Sequence, residues 1–256
     1  MDPATLGGIG LALGAIVTSL IMEGGSIGSM FLLPPMILVI FGTIGAGVAG
    51  SIFKDVKRLP KAMVLAMTAR LSDPSKNIQA IVSLAERARR EGLLALDGEI
   101  DKVEDPFLKR ALEMAVDGTD SDEIVDILSA EIDAKRASDH VAAKLFTDMG
   151  GYSPTIGIIG TVLGLVHVLG SLSDTASLGG KIAGAFIATL WGVMMANVFW
   201  IPIGSRLKRI SELECEQMEL TIEGVLAIQA GASPRMIARK LYSMMPDAAG
   251  PQKEVA

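Results

Sequence analysis

Hydrophobic and polar positions are spread very unevenly along this chain. Four stretches carry no Asp, Glu, Lys or Arg: Pro3–Met22, Gly24–Phe53, Met149–Ser173 and Ile182–Ser205. A hydrocarbon layer of ~30 Å takes about 20 apolar residues in a helix, and each stretch meets that need. They predict spans over Thr5–Ile21, Phe31–Gly50, Thr155–Leu172 and Ala183–Ile203. Four uncharged runs of this length do not suit a soluble core. The expected fold class is therefore all-α: a polytopic membrane protein with four transmembrane helices and a helical cytoplasmic domain. No basic segment precedes the first run and no small-residue cleavage motif follows it, so it reads as a retained span rather than a signal peptide.

Basic residues near span ends set orientation. Lys54, Lys57, Arg58 and Lys61 follow the second run, and Arg206, Lys208 and Arg209 follow the fourth. Between the spans of each pair, Glu23–Met30 has no Lys or Arg and Ser173–Lys181 has one. Both termini are thus expected in the cytoplasm. The predicted organisation is a hairpin over 1–53, a cytoplasmic helical insert over 54–148, a second hairpin over 149–205 and a cytoplasmic helical tail over 206–256, disordered after about 246.

The polar segments are punctuated as helices. Asp73-Pro74 and Asp105-Pro106 each join an N-cap to a proline at the first helical position, and Gly92 and Gly118 stand where those helices should stop. Asp120 and Glu123 have capping-box spacing, and no breaker follows before Gly150, so that helix should run on towards the third span. In the tail Leu207, Ile210, Leu213, Met218, Ile222, Val225 and Ile228 recur at helical spacing up to Gly231, and Ser233-Pro234 opens a last short helix.

Composition narrows the chemistry. Of 256 residues 50% are hydrophobic and 20% charged, with net charge −6; mean hydropathy is +0.46 and the pI about 5.0. A nucleic-acid partner is not expected of so acidic a chain, because phosphate contacts need clustered Lys and Arg. One cysteine forms no internal disulfide, and two histidines with one cysteine make no four-ligand zinc site. No cofactor is implied.

The most informative feature is what the spans lack. None contains Asp, Glu, Lys or Arg, although ion and proton pathways generally use an ionisable or strongly coordinating group at membrane depth. The polar inventory is Ser153, Thr155, Thr161, His167, Thr189 and Asn197, with Tyr152 and Ser205 near the ends. Hydroxyls can line a path or ligate sodium but carry no proton through a titration near neutral pH. If the chain conducts, the essential acid is expected from a partner. Gly180, Gly184, Ala188, Gly192 and Ala196 form a stripe at steps of four, and Gly157, Gly160, Gly164 and Ser171 give the third span a small-residue surface. Such surfaces let helices approach closely, within one chain or between subunits. Pro154 and Pro202 each interrupt the backbone hydrogen-bond ladder, and Pro154 shares a helix face with Thr161. In the cytoplasmic insert Arg87, Arg89 and Arg90 close a helix, and Asp97, Glu99 and Asp101 follow in what reads as a loop. This mixed-sign patch is either a solvated surface or a docking face for a charged partner.

Three stretches together resemble the flagellar motor stator subunits of the MotA or PomA type, in the MotA/TolQ/ExbB superfamily. They are 89–97 (RREGLLALD), 154–167 (PTIGIIGTVLGLVH), and Thr189-Leu190-Trp191-Gly192 with Ala196-Asn197 and Pro202. The resemblance covers nearly the whole chain. It implies a ring, understood as a pentamer, around a single-span partner of the MotB or PomB type that supplies the ion-binding aspartate, in the bacterial inner membrane. It implies that the insert contacts the rotor switch protein FliG. Arg89 and Asp97 match the family's charged rotor-contact positions, with Arg90 and Glu99 as neighbours. Pro154 and Pro202 match prolines held to couple ion passage to movement, and Thr161 and Thr189 match threonines near the partner's aspartate. Many relatives carry Glu where this chain has Asp97, one methylene shorter. The coupling ion is a proton or sodium: the threonines suit sodium, while His167 resembles proton-type members.

The nearest rival is an ExbB or TolQ energiser of an outer-membrane process. Those chains typically have three spans with the long cytoplasmic segment after the first, whereas here a complete hairpin precedes the insert. An enzyme is not expected: an intramembrane aspartyl protease needs two acids at membrane depth, and no nucleophile-elbow sequence surrounds Ser153.

Overall fold

A computed structural model of the chain describes residues 3–69, 73–170 and 175–245. The expected end of the third span at Leu172 and the expected disordered tail after about 246 lie outside these residues. The described residues form helices and connecting turns, with no strand among them. They divide into two compact units, residues 1–70 with 139–210 and residues 71–138 with 211–256.

The first unit holds the apolar runs. Helix α1 covers Pro3–Met22, and the chain turns at Gly24, whose φ of 77° suits a residue without a Cβ. A short 3-10 turn at Ile27–Met30 leads into α2, Leu33–Ala49, which has proline at its start as the missing N–H allows. Two short helices follow, α3 over Phe53–Val56 and α4 over Leu59–Thr68. Ala62 and Ala66 of α4 are buried in a cluster with Phe146, Met149, Trp200, Ile203 and Leu207. Trp191 Nε1 donates to the Met30 carbonyl at 2.7 Å and its ring meets Phe31 edge-on, which fixes the turn against the fourth span.

Helix α8 runs unbroken for 49 residues, Ser121–Leu169, with Pro154 inside it. Helix α9 begins at Thr175, eight residues before the span expected from Ala183. Apolar runs report the depth of hydrocarbon, not the ends of helices, and a lysine such as Lys181 sits readily on a helix whose stem reaches towards water. After α9 ends at Met194 the backbone widens into a π-helical segment, Met195–Trp200, before α10 takes over at Ile201–Gln229. Pro202 disfavours a regular α-helical ladder at this point. In an α-helix its ring would press on the carbonyl four residues back, at Val198, and leave it without a donor.

Among the described residues three helices carry apolar windows long enough to cross a membrane: Thr5–Met22, one within Ser121–Leu169 and one within Leu178–Gln229. The apolar α2 is shorter. None of the Thr5–Met22 window is buried inside the chain, and Leu11 and Phe41 are 77% and 67% exposed. Apolar surface of this extent is suited to lipid or a neighbouring helix, not to water.

The second unit is built by the punctuation read above. Asp73 accepts from the Ser75 N–H at 2.9 Å at the start of α5, Pro74–Glu91. Asp105 accepts from Phe107 at 2.8 Å at the start of α7, Pro106–Val116. Asp120 accepts from Asp122 at 3.0 Å where α8 begins, and Ser233 caps α11, Pro234–Met244. Gly92, Gly118 and Gly231 stop their helices at positive φ. The core joins Ile78 and Ile81 of α5, Leu108 and Leu112 of α7, Ile124 and Leu128 of α8, Leu220 and Val225 of α10, and Ile237 and Leu241 of α11. The segment after Gly92, expected as a loop, is a 3-10 turn at Leu93–Leu96 followed by a one-turn helix α6, Asp97–Ile100. Leu96 and Ile100 are buried in that core, and their anchoring turns an acidic loop into structure.

Candidate functional site

Two groups of candidate residues were expected, and each falls within one unit. In the first, Thr161 on α8 and Thr189 on α9 meet: their hydroxyls are hydrogen-bonded to each other. The Gly157 carbonyl lies 3.2 Å from Thr161 Oγ1 and 3.4 Å from Thr189 Oγ1, and the Ala185 carbonyl is 3.1 Å from Thr161 Oγ1. Both threonines are half-buried.

The closeness of α8 and α9 makes this cluster possible. A Cβ at Gly157 would stand 2.8 Å from the Ala188 carbonyl oxygen, and one at Gly192 would stand 2.7 Å from the Ser153 carbonyl oxygen. At Gly160 it would come within 2.6 Å of Ala188 Cβ, and at Gly164 within 2.6 Å of Ala185 Cβ. Packing within the chain therefore accounts for these members of the two small-residue surfaces. Gly180 borders open space. Ser153 is fully buried and donates to the Gly192 carbonyl at 2.9 Å. Nothing in the sequence marked Ser153 as a clamp, because its partner lies 39 residues away on another helix.

Thr161 follows Pro154 by seven residues, about 10 Å along α8 on the same face. Pro202 lies thirteen residues past Thr189, about 20 Å along the axis and beyond the π-helical segment, so the structure does not gather it with the threonines. It borders a groove with Asn197, Val198, Thr5, Gly8 and Ala12. His167 is six residues past Thr161, about 240° round the helix, and exposed.

The charged group of the second unit is divided by its partners. Arg87 pairs with Glu91 at 3.3 Å and also with Glu99. Lys102 Nζ lies 2.7 Å from Glu99, so this carboxylate is held between two cations. The Lys102 hydrogen bond first, and the Arg87 charge with it, hold the Glu99 carboxyl below its usual range. Arg90 pairs with Glu86 at 3.3 Å, and Asp101 with Lys109 at 2.8 Å. Arg89 and Asp97 are exposed and make no ion pair among the described residues. They flank the Gly92 turn, whose φ is 90° and ψ 162°. Among the described residues no group of three His, Cys, Asp or Glu side chains is placed to hold a metal ion.

Comparison with known proteins shows the family of the chain. Residues 6–92 match the Motility protein A N-terminal family, and residues 99–220 match the MotA/TolQ/ExbB proton channel family. Motility protein A of Bacillus subtilis is 37% identical over 247 residues, 96% of this chain and 92% of that protein. The chain belongs to the MotA/TolQ/ExbB proton channel family. Motility protein A of Borreliella burgdorferi is 34% identical over 96% of the chain and 94% of its own length. The solved flagellar MotAB stator complex from Bacillus subtilis contains a chain that superimposes with a TM-score of 0.90 at 36% identity, covering 96% of each chain. The C. jejuni MotAB structure gives 0.92 at 28% identity, also covering 96% of each. The 6–92 match takes in both helices of the first hairpin and the charged end of α5. That hairpin is the feature expected to separate motility subunits from ExbB or TolQ energisers.

Proposed function

We propose that the chain is the flagellar stator subunit that surrounds a MotB-type partner and converts ion flow into torque. The transmembrane elements are α1, α2, the apolar half of α8 and the α9–π–α10 segment, four spans with both termini in the cytoplasm. The membrane is the bacterial inner membrane, the subunits form a ring, pentameric by analogy, and the second unit meets FliG through Arg89 and Asp97.

The observation that carries this reading is the Thr161–Thr189 pair in spans without a charge of their own. Its chemistry favours one charge state of a visiting carboxyl group. The two hydroxyl protons face three acceptors within the cluster: the neighbouring hydroxyl and the Gly157 and Ala185 carbonyls. What remains for a visitor is lone pairs. Lone pairs welcome a protonated carboxyl or a cation and repel a bare carboxylate. A partner aspartate neutralised by an incoming ion thus rests against the pair, and one that has released its ion is pushed away. Each ion gains ~2.3 kcal/mol per 100 mV on crossing, which drives the cycle. Pro154 and Pro202 provide the backbone give for α8 and α10 to follow. The proton is the favoured ion, with sodium as the alternative.

The test is swimming of a stator-deficient strain that expresses this chain with its partner, with and without sodium. Speed independent of sodium is expected for protons. The reading is overturned if the purified chain alone passes ions across vesicles, because its own residues would then supply the carrier.

A further inference from the structure

The turn that follows Gly92 displays one side chain that its own packing does not use. Leu94 is 75% exposed, against 59% for Met236 and 48% for Ile127, and is the most exposed large apolar side chain among the described residues of the second unit. Single apolar residues are ordinary on a protein surface, so the setting decides what this one means.

The setting is rigid and charged. In a 3-10 turn side chains three residues apart eclipse one another, and Leu93–Leu96 follows that rule. Leu93 and Leu96 both pack on the core, which leaves Leu94 and Asp97 together on the outer side, roughly 6 Å apart along the axis. The Asp97 N–H donates to the Leu94 carbonyl, and the Ala95 N–H to the Gly92 carbonyl at 3.2 Å. Beneath, Leu96 and Ile100 are buried; beside the turn, Glu99 is held by Arg87 of α5 and by Lys102. Leu94 therefore stands on a framework fastened from two directions, with the inward positions already taken. In the chain it lies between Arg89 and Asp97, the two exposed charges that make no ion pair among the described residues.

Charge and apolar surface do different work at a contact. Exposed charges steer and orient a partner, but salt screens them. Release of water from apolar surface does not depend on that attraction. We infer that Leu94 is the apolar anchor of the rotor contact: it enters an apolar recess of the partner whose rim carries an acid opposite Arg89 and a base opposite Asp97. The inference rests on the stator reading above and adds to it a part of the contact that salt does not remove.

In the test, the full chain with its MotB-type partner is reconstituted in vesicles and titrated with fluorescently labelled FliG. The titration is run at about 0.1 M and about 1 M sodium chloride, between which the screening length falls from ~10 to ~3 Å. The parent should still bind at the higher salt. Leu94→Ala should weaken binding about tenfold at both salts, the loss expected for an apolar side chain that is buried in the contact. Leu94→Met keeps the apolar volume and should bind like the parent, as should Ile127→Ala on α8. Arg89→Gln should weaken binding at low salt and make little difference at high salt. Thermal unfolding and subunit stoichiometry of Leu94→Ala should match the parent, because the side chain is exposed. Parental binding that vanishes at high salt, Leu94→Ala binding as tightly as the parent, or a changed stoichiometry (a second copy seated on Leu94) would each overturn the inference. If the parent binds FliG and Leu94→Ala binds it equally, only this inference fails; if the parent binds FliG at neither salt, the rotor reading fails with it.

Discussion

Ser153 and Gly192 hold each other in two ways: the Ser153 hydroxyl donates to the Gly192 carbonyl at 2.9 Å, and the Ser153 carbonyl occupies the space where a Cβ of residue 192 would lie. The spacing of α8 and α9, and with it the threonine pair, depends on this contact. Gly192→Ala should destabilise the chain by about 1–3 kcal/mol through overpacking against backbone. Ser153→Ala should cost about 1 kcal/mol for one buried hydrogen bond. Unfolding of the purified complex in a denaturing-detergent titration checks the order. An alanine at 192 that is as stable as the parent would mean the two helices are free to part.

Thr43 on α2 is fully buried, and its hydroxyl has no hydrogen-bond partner among the described residues. A buried hydroxyl without a partner gives up hydration without return. Thr43→Val keeps the shape and removes the polar atom, so it should leave the midpoint of the same titration unchanged or raise it. A fall of about 1 kcal/mol or more would reveal a partner the hydroxyl had been serving.

Gly92 adopts a φ of 90° and ψ of 162°, a region that residues with a Cβ scarcely enter. No atom stands in the way of a side chain there, so the penalty of Gly92→Ala is conformational alone, about 1–3 kcal/mol. The turn sets the path between Arg89 and Asp97, so swimming speed should fall although membrane insertion is retained. Speed against immunoblotted membrane content measures both.

Arg89 and Asp97 are unpaired, and Glu99 is not; this predicts different phenotypes. Arg89→Glu should impair swimming with little change in stability, since no internal pair is lost. Glu99→Gln should act on stability and on its pH dependence. The folded-state pKa of Glu99 is depressed below the ordinary value of 4.5, so its contribution is present above that value and lost as pH falls through the folded pKa. Acid unfolding of Glu99→Gln should therefore be shallower below about pH 4.5 than that of the parent. At the other extreme Lys109, raised by its Asp101 partner, contributes below 10.5 and loses that contribution as pH rises through its folded pKa. Lys109→Gln should flatten the alkaline limb and leave the acid limb alone.

What could be read from the sequence was local. Asp73, Asp105 and Ser233 each cap the helix they precede, because a cap needs only neighbours within three residues. The path of α8 into the third span followed from the absence of any breaker after Asp120. Features that need two distant segments were not legible: the Thr161–Thr189 hydrogen bond, the Ser153 clamp, and the Glu99 pair with Arg87 across the Gly92 turn. The π-helical segment lies between. Pro202 announced a disturbance, but whether a helix bends, breaks or widens depends on what packs around Trp200, which stacks on Phe146 from α8. The order found after Gly92, where a loop was expected, has the same origin, since Leu96 and Ile100 are held by a core assembled from distant helices.

The chain has only two tryptophans, and both lie where the fourth apolar run passes from α9 into the widened turn. One is hydrogen-bonded to a backbone carbonyl at Met30; the other packs against the rings of Phe146 and Phe199, and its indole N–H has no partner among the described residues. Tryptophan emission from the native subunit therefore comes from this short stretch, and the two indoles differ in hydrogen bonding and ring contacts. Any repacking of that stretch should shift the tryptophan spectrum, an optical readout that needs no attached dye.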